Sequence, residues 1–199
     1  MRIISGSARG KKLETPAGSA IRPTTDRVKE AVFDILQFSL AGARMLDLFA
    51  GTGQMGIEAI SRGAASCTFV EQSKKAAALI GANVRRAGFE RQAEIYSGDV
   101  FRFLAGRGQA EYDLVYADPP YRQVDYQRLL QGIVAGLTLS DGARILLESE
   151  RGVPLPDGWG PFRIKKRYRY GKTAISLYLR AVANEGDSEN ENSDLSRQF

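Results

Sequence analysis

Four acids and a run of glycines hold the residue types that could do chemistry in this chain. Met45-Leu46-Asp47-Leu48-Phe49-Ala50-Gly51-Thr52-Gly53-Gln54-Met55-Gly56 is an apolar run containing an acid, then a glycine-rich turn. Ile57 and Ile60 continue it at helical spacing. Such a strand–turn–helix lets backbone approach a ligand closely and aims unpaired N–H groups at it from a helix N-terminus. Glu71 lies eighteen residues beyond Gly53, at the end of the next apolar run and just before Gln72. An acid at that place in a doubly wound fold accepts hydrogen bonds from ribose hydroxyls. Asp99, followed by Val100, comes after a third run and is placed to accept from an adenine amine. The predicted site takes an adenosine-type cofactor.

Gly51-Thr52-Gly53-Gln54-Met55-Gly56 also satisfies the dinucleotide fingerprint G-x-G-x-x-G. Asp47 argues against a pyrophosphate there, because its charge opposes an anion and suits a cationic ligand end. The reading that follows is S-adenosylmethionine. Asp118-Pro119-Pro120-Tyr121 then closes the fourth apolar run. Two consecutive prolines fix φ and remove two backbone donors. The Asp118 carboxylate and the Pro119 carbonyl remain as a rigid pair of acceptors, suited to an exocyclic amine with two N–H donors on one nitrogen. Holding both hydrogens favours a pyramidal nitrogen with its lone pair aimed at a methyl carbon, and the proton can leave after attack. Positioning of this kind lowers a barrier by ~7–11 kcal/mol in favourable cases. Tyr121 is expected to stack on a base drawn out of its helix or loop.

These residues need elements to carry them. The alternation after the glycine turn predicts helix 54–62, strand 66–71, helix 73–87 ending at Gly88, strand 92–97, helix 100–105, strand 112–117, helix 126–136 and strand 143–149. Repeated βα units imply a doubly wound, parallel α/β sheet. Residues 162–170 and 173–180 alternate around Gly171-Lys172 and predict a hairpin adding antiparallel strands at the edge. A short N-terminal hairpin is expected over residues 2–15, turning through Ala8-Arg9-Gly10. Thr24, Thr25 or Asp26 can cap a following helix whose core stripe is Val28, Val32, Phe33, Ile35 and Leu36. Cys67 is expected to be buried in its strand, and Trp159 to anchor a loop. The domain spans 1–180, with a basic arm to about residue 25, and 181–199 form a disordered acidic tail.

The chain has 199 residues, no histidine and one cysteine. Its length suits one α/β domain with a full core. The missing histidine excludes Ser-His and Cys-His mechanisms and, with the single cysteine, a structural zinc site; no metal is expected. No apolar run approaches ~20 residues, so no membrane span is predicted. The start Met1-Arg2-Ile3-Ile4-Ser5-Gly6 lacks the apolar core of a secretory signal. A reducing cytoplasm is the expected compartment. Net charge is +5; five acids against Arg197 give the tail −4 and leave +9 on residues 1–180. A basic body suits a polyanionic partner. Arg163, Lys165, Lys166, Arg167 and Arg169 are interleaved with Tyr168 and Tyr170 in the hairpin, a pattern for phosphate contact and base stacking that also suits a charged edge strand. Simple alternation places Lys165 and Arg167 on one face and Lys166 on the other.

Asp47-Leu48-Phe49-Ala50-Gly51-Thr52-Gly53 with Asp118-Pro119-Pro120-Tyr121 resembles the class I methyltransferases acting on amino groups of bases. Arg22-Pro23-Thr24-Thr25-Asp26-Arg27-Val28-Lys29-Glu30, the Arg2-Ile3-Ile4-Ser5-Gly6 start and Gly10-Lys11-Lys12-Leu13 narrow the likeness. Over residues 1–180 the chain resembles the bacterial ribosomal RNA small-subunit methyltransferase D family. That resemblance implies a Rossmann-like class I fold and transfer of a methyl group from S-adenosylmethionine to N2 of one guanine in 16S rRNA. It implies that Asp47 to Gly53, with Gly56, cradle the methionine and ribose side, that Glu71 and Asp99 hold ribose and adenine, and that Asp118 to Tyr121 bind the guanine. RNA contacts would fall on Arg2, Arg9, Lys11 and Lys12 of the arm and on Arg22, Thr24, Thr25 and Arg27 near the cleft. The partner would be 16S rRNA within a small-subunit particle, met by a monomer.

Motif physics alone fixes an exocyclic amine rather than guanine. Adenine N6 or cytosine N4, in DNA or RNA, satisfies the same acceptors. An NAD-dependent oxidoreductase is a rival that lacks an obvious proton donor, and a catalytically silent RNA-binding protein is another.

Overall fold

The computed structural model describes residues 1–15, 26–106, 110–120 and 124–181. Thr24 and Thr25, the segment from Arg22, Tyr121 and the tail from 182 onward lie outside the described residues. The elements in order are α1 (Asp26–Leu36), β1 (Arg44–Leu48), α2 (Gln54–Ser61), β2 (Ser66–Glu71), α3 (Lys74–Ala87), β3 (Ala93–Ser97), α4 (Val100–Ala105), β4 (Glu111–Ala117), α5 (Tyr126–Gly136), β5 (Thr138–Glu150), β6 (Gly158–Trp159), β7 (Phe162–Tyr170) and β8 (Thr173–Arg180). The strands form one sheet in the order β3-β2-β1-β4-β5-β8-β7-β6. Neighbours among β1–β5 are parallel, and β8 runs antiparallel to β5 and β7.

Alternation along each strand divides the core between the sheet's two faces. Met45, Phe69, Leu114, Tyr116 and Leu146 pack on one face with residues of α1, α2 and α3. Leu46, Val115, Ala117, Ile145 and Leu147 pack on the other with α4 and α5. Each fully buried aliphatic side chain among them stabilises the fold by roughly 1.5–3 kcal/mol. Helix α2 is buried along all of its residues, Gln54 to Ser61. A helix sheathed on every side needs a second cover besides the sheet. The N-terminal arm supplies it, with Ile3, Ala8 and Leu13 in the same core.

The arm is held by polar side chains of α2. The buried Glu58 carboxylate accepts from the Ile4 and Ser5 amides at 2.8 and 2.9 Å. Lys29 of α1, fully buried, pairs with Glu58 at 3.4 Å and donates to the Arg2 carbonyl at 2.8 Å. Ser61 Oγ donates to the Ser5 carbonyl at 2.6 Å and accepts from the Ala8 amide at 3.0 Å. The expected arm hairpin is present as the antiparallel bridge Arg2 to Lys12, with the Ile3, Gly10 and Leu13 amides donating to the Lys11, Ile3 and Met1 carbonyls, and it bends from Ser5 onward. The Ile4, Ser5 and Ala8 backbone groups bond α2 instead of extending the ladder.

Three expectations change in β5 to β8. Strand β5 starts at Thr138, not 143, because Thr138 and Leu139 already pair with Glu111 and Tyr112 ahead of a register shift. Trp159 lies in the two-residue edge strand β6, paired with Phe162, rather than in a loop. A bulge interrupts β7, with Ile164 opposite Tyr178 but Lys166 opposite Leu177. The extra residue, Lys165, reverses the alternation. Ile164 therefore packs with the α4/α5 face, while Tyr168 and Tyr170 pack on the opposite face. Lys165 and Arg167 do not share a face by simple alternation. The other elements fall within one residue of their expected bounds, and Cys67 is buried as expected.

Candidate active site

The strand order reverses direction between β2-β1 and β4-β5, and ligands of open α/β sheets bind beyond the strand C-termini at such a point. Leu48 of β1 pairs with Val70 of β2 on one side and Ala117 of β4 on the other. Glu71 of β2 pairs with Ser97 of β3. The glycine loop, Glu71, Asp99 and Asp118-Pro119-Pro120 therefore leave the sheet along one rim. Sequence positions 47 to 118 are gathered there by register alone.

The loop after β1 is conformationally demanding. Phe49 has φ +60°, uncommon for a residue with a side chain. Gly53, at φ +76°, is the N-cap of α2 and lacks a side-chain capping bond. Gly56 is required for a different reason. A Cβ there would lie 2.3 Å from Phe69 Cε1 and 2.4 Å from Cys67 Sγ. The Asp47 carboxylate is buried and accepts from the Gly56 amide at 3.0 Å. Burial pushes its carboxyl up to about 7, the Gly56 bond opposes that rise, and the charge of Glu71 adds to it. Asp47 thus fixes the start of α2 beneath the loop.

Glu71, expected at the ribose, accepts from the Gly51 amide at 2.9 Å and the Ser73 amide at 2.8 Å. One carboxylate oxygen accepts more than one bond, so both can also receive hydroxyls. Asp99, expected at the adenine, is the N-cap of α4 and accepts from the Arg102 amide at 2.9 Å. Val100 is buried beside it, and Gln72 is exposed. Ala50 is fixed to β2 by its amide donating to the Val70 carbonyl at 3.1 Å. Gly51 and Gly53, both at positive φ, leave the loop backbone without side chains there, and two acids stand on the rim beside it. This donor and acceptor set fits the methionine, ribose and adenine parts of S-adenosylmethionine.

Asp118 is half-buried, Pro119 buried and Pro120 exposed. Glu148 follows Leu147 within β5 as Asp118 follows Ala117, the residue paired with Leu147, at the end of β4, so Asp118 leaves its strand beside Glu148. The Tyr116 hydroxyl donates to Glu148 at 2.5 Å, and the Tyr126 hydroxyl to the Glu148 carbonyl at 3.2 Å. Burial first, then the charges of Glu148 and Asp118, pushes the Tyr116 hydroxyl well up. Two neighbouring acids at this end of the sheet, Asp118 and Glu148, suit positive charge developing on a bound nitrogen. Sequence reasoning missed Glu148; its signal was an acid closing the apolar run Ile145-Leu146-Leu147.

The expected RNA contacts divide. Arg2, Arg9, Lys12, Arg27 and Lys165 are exposed. Lys11 is also exposed, but its ammonium donates to the Ala87 carbonyl at the end of α3, at 2.8 Å. Arg167 donates to the Leu155 carbonyl at 2.9 Å and pairs with Asp157 at 3.3 Å. Arg22, Thr24, Thr25 and Tyr121 lie outside the described residues.

Residues 1–179 match the family model described as Conserved hypothetical protein 95. Ribosomal RNA small subunit methyltransferase D of Escherichia coli K12 is 35% identical over 194 residues, covering 95% of this chain and 94% of that protein. The chain belongs to this methyltransferase family. YlbH of Bacillus subtilis is 37% identical over 180 residues, 89% of this chain and 98% of its own length. The solved structure of yhhF from Escherichia coli superposes with TM-score 0.82 at 32% identity, covering 91% of this chain and 98% of that one. The fold is the class I S-adenosylmethionine-dependent methyltransferase fold, and the family member described here is such an enzyme. The oxidoreductase and silent-binder readings fall with that assignment. Among the described residues no helix is long and apolar enough to cross a membrane.

Proposed function

We propose that this chain methylates N2 of a guanine in 16S rRNA, in the cytoplasm, acting as a monomer on a small-subunit particle. The observation that carries the amine chemistry is the acid-proline wall, Asp118-Pro119-Pro120, starting on the rung next to the glycine loop. The name of the Escherichia coli relative supports ribosomal RNA as the substrate. Exposed Arg2, Arg9, Lys12, Arg27 and Lys165 support a phosphate-rich partner.

S-adenosylmethionine supplies an electrophilic methyl group on a sulfonium. The Asp118 carboxylate and the Pro119 carbonyl hold the two amine hydrogens, turning the nitrogen lone pair toward that methyl. The nitrogen–carbon bond forms as the carbon–sulfur bond breaks with its electron pair on sulfur. The charge passes to nitrogen, where Asp118 and the neighbouring Glu148 stabilise it, and the surplus proton departs through Asp118 to water. Tyr121 stacks on the flipped base.

Asp118→Ala tests this assignment. Loss of a group that stabilises the transition state typically costs ~10²–10³-fold in turnover. Methyl transfer from labelled S-adenosylmethionine to small-subunit particles should fall at least ~10²-fold while calorimetric affinity for the cofactor stays near wild type. Near-normal turnover would remove Asp118 from the chemistry.

A further inference from the structure

Asn83 stands in the core-facing stripe of α3 with Ala76, Ile80, Val84 and Ala87, and its relative exposure is 0%. A polar residue there needs partners, and it has them on two different segments. Its Oδ1 accepts from the Glu14 amide at 2.7 Å, and its Nδ2 donates to the Glu14 carbonyl at 3.2 Å. The same Nδ2 donates to the Thr52 carbonyl at 3.0 Å. Glu14 lies at the described end of the arm; Thr52 stands between Gly51 and Gly53 in the cofactor loop. A second contact joins the same two segments, with Thr52 Oγ1 lying 3.7 Å from Met1 Sδ.

We propose that Asn83 is a positioning residue that couples occupancy of the cofactor loop to the order of the N-terminal arm, and through the arm to RNA binding. The coupling follows from the inventory of the carboxamide. It has one acceptor oxygen and two N–H donors, and the observed bonds employ all three. The site is sealed from water, so an N–H that loses the Thr52 carbonyl has no substitute partner. A loop held in one conformation by cofactor keeps Thr52 against Asn83 and thereby keeps the carboxamide in register with Glu14. A loop that samples other conformations releases both. Beyond Glu14 the chain runs into the segment carrying Arg22, Thr24, Thr25 and Arg27. The RNA half of the proposal rests on the reading of this enzyme as an RNA methyltransferase; the cofactor half does not.

The test is hydrogen exchange of the full-length protein with and without S-adenosylhomocysteine, followed by mass spectrometry of peptides from residues 1–15. The Ile3, Leu13 and Glu14 amides donate to Lys11, Met1 and Asn83 and report arm order. In wild type, S-adenosylhomocysteine should slow their exchange by at least ~5-fold, the lower end of common coupling strengths. Arg86→Ala removes only the exposed Glu14–Arg86 ion pair and should leave that slowing intact. Asn83→Ala should still bind S-adenosylhomocysteine by calorimetry but lose the slowing. If Asn83→Ala folds poorly, Asn83→Leu keeps the side-chain volume, removes all three bonds, and should lose it as well. Slowing that survives in either Asn83 variant, or is absent from wild type that binds ligand, overturns the coupling. No binding of S-adenosylhomocysteine to wild type would overturn the cofactor assignment and the coupling together. Fluorescence-monitored binding of 16S rRNA fragments gives the second readout: S-adenosylhomocysteine should tighten RNA binding ~5-fold or more in wild type and not in the Asn83 variants. No RNA binding with arm slowing present would overturn the RNA half alone.

Discussion

Asp47→Asn should flatten the pH dependence of folding stability. The Asp47 carboxyl is 2% exposed, and its pKa is raised from 3.8 to about 7, first by burial. A raised acid binds its proton more tightly in the folded state. Its contribution to stability is whole below about pH 4 and is lost as pH climbs through 7. About three pH units at 1.36 kcal/mol each make that loss roughly 4 kcal/mol. Asparagine keeps an oxygen to accept from the Gly56 amide and stays neutral throughout. The wild type should therefore lose ~2.3 kcal/mol relative to Asp47→Asn between pH 5 and 7, the slope flattening as pH nears the folded pKa. The chain has no histidine, so no other side chain ordinarily titrates in that window. The α-amino group is common to both proteins and cancels in the comparison. Urea denaturation followed by circular dichroism at pH 5, 6, 7 and 8 gives the two curves. A gap constant to within ~0.5 kcal/mol from pH 5 to 7 would refute a strongly raised Asp47.

Gly56→Ala should destabilise the fold by ~1–3 kcal/mol, because its Cβ collides with Phe69 and Cys67, and should weaken calorimetric S-adenosylmethionine binding as α2 shifts. Wild-type stability and affinity would contradict the tight packing under the loop. Glu58→Ala strands the buried Lys29 ammonium and two arm amides, for a loss of ~3–5 kcal/mol by urea denaturation. A paired Lys29→Met, Glu58→Leu variant should recover part of that loss; equal loss in both would assign the effect to the arm amides instead.

Much of this fold was legible in the sequence because its periodicities were clean. Phe69, in the run Cys67-Thr68-Phe69-Val70, reads as a buried strand, and Gly88 marks a helix end where the structure has it. The rim acids were legible because each follows an apolar run. What the sequence hid were contacts made by single residues with distant partners. Lys11 donates to the end of α3 and Arg167 pairs with Asp157, contacts that no local pattern announces. The β7 bulge turns on one extra residue, Lys165, which no alternation pattern reveals. Asn83 and Lys29 did carry a signal, as polar residues on core stripes, but their partners lie in the arm and in α2.

Nucleoside mass spectrometry of 16S rRNA, from cells with and without this gene, tests the central claim most directly. Loss of one N2-methylguanosine, restored by the wild-type gene and not by Asp118→Ala, is the predicted result. An unchanged set of methylated nucleosides in that RNA would contradict it.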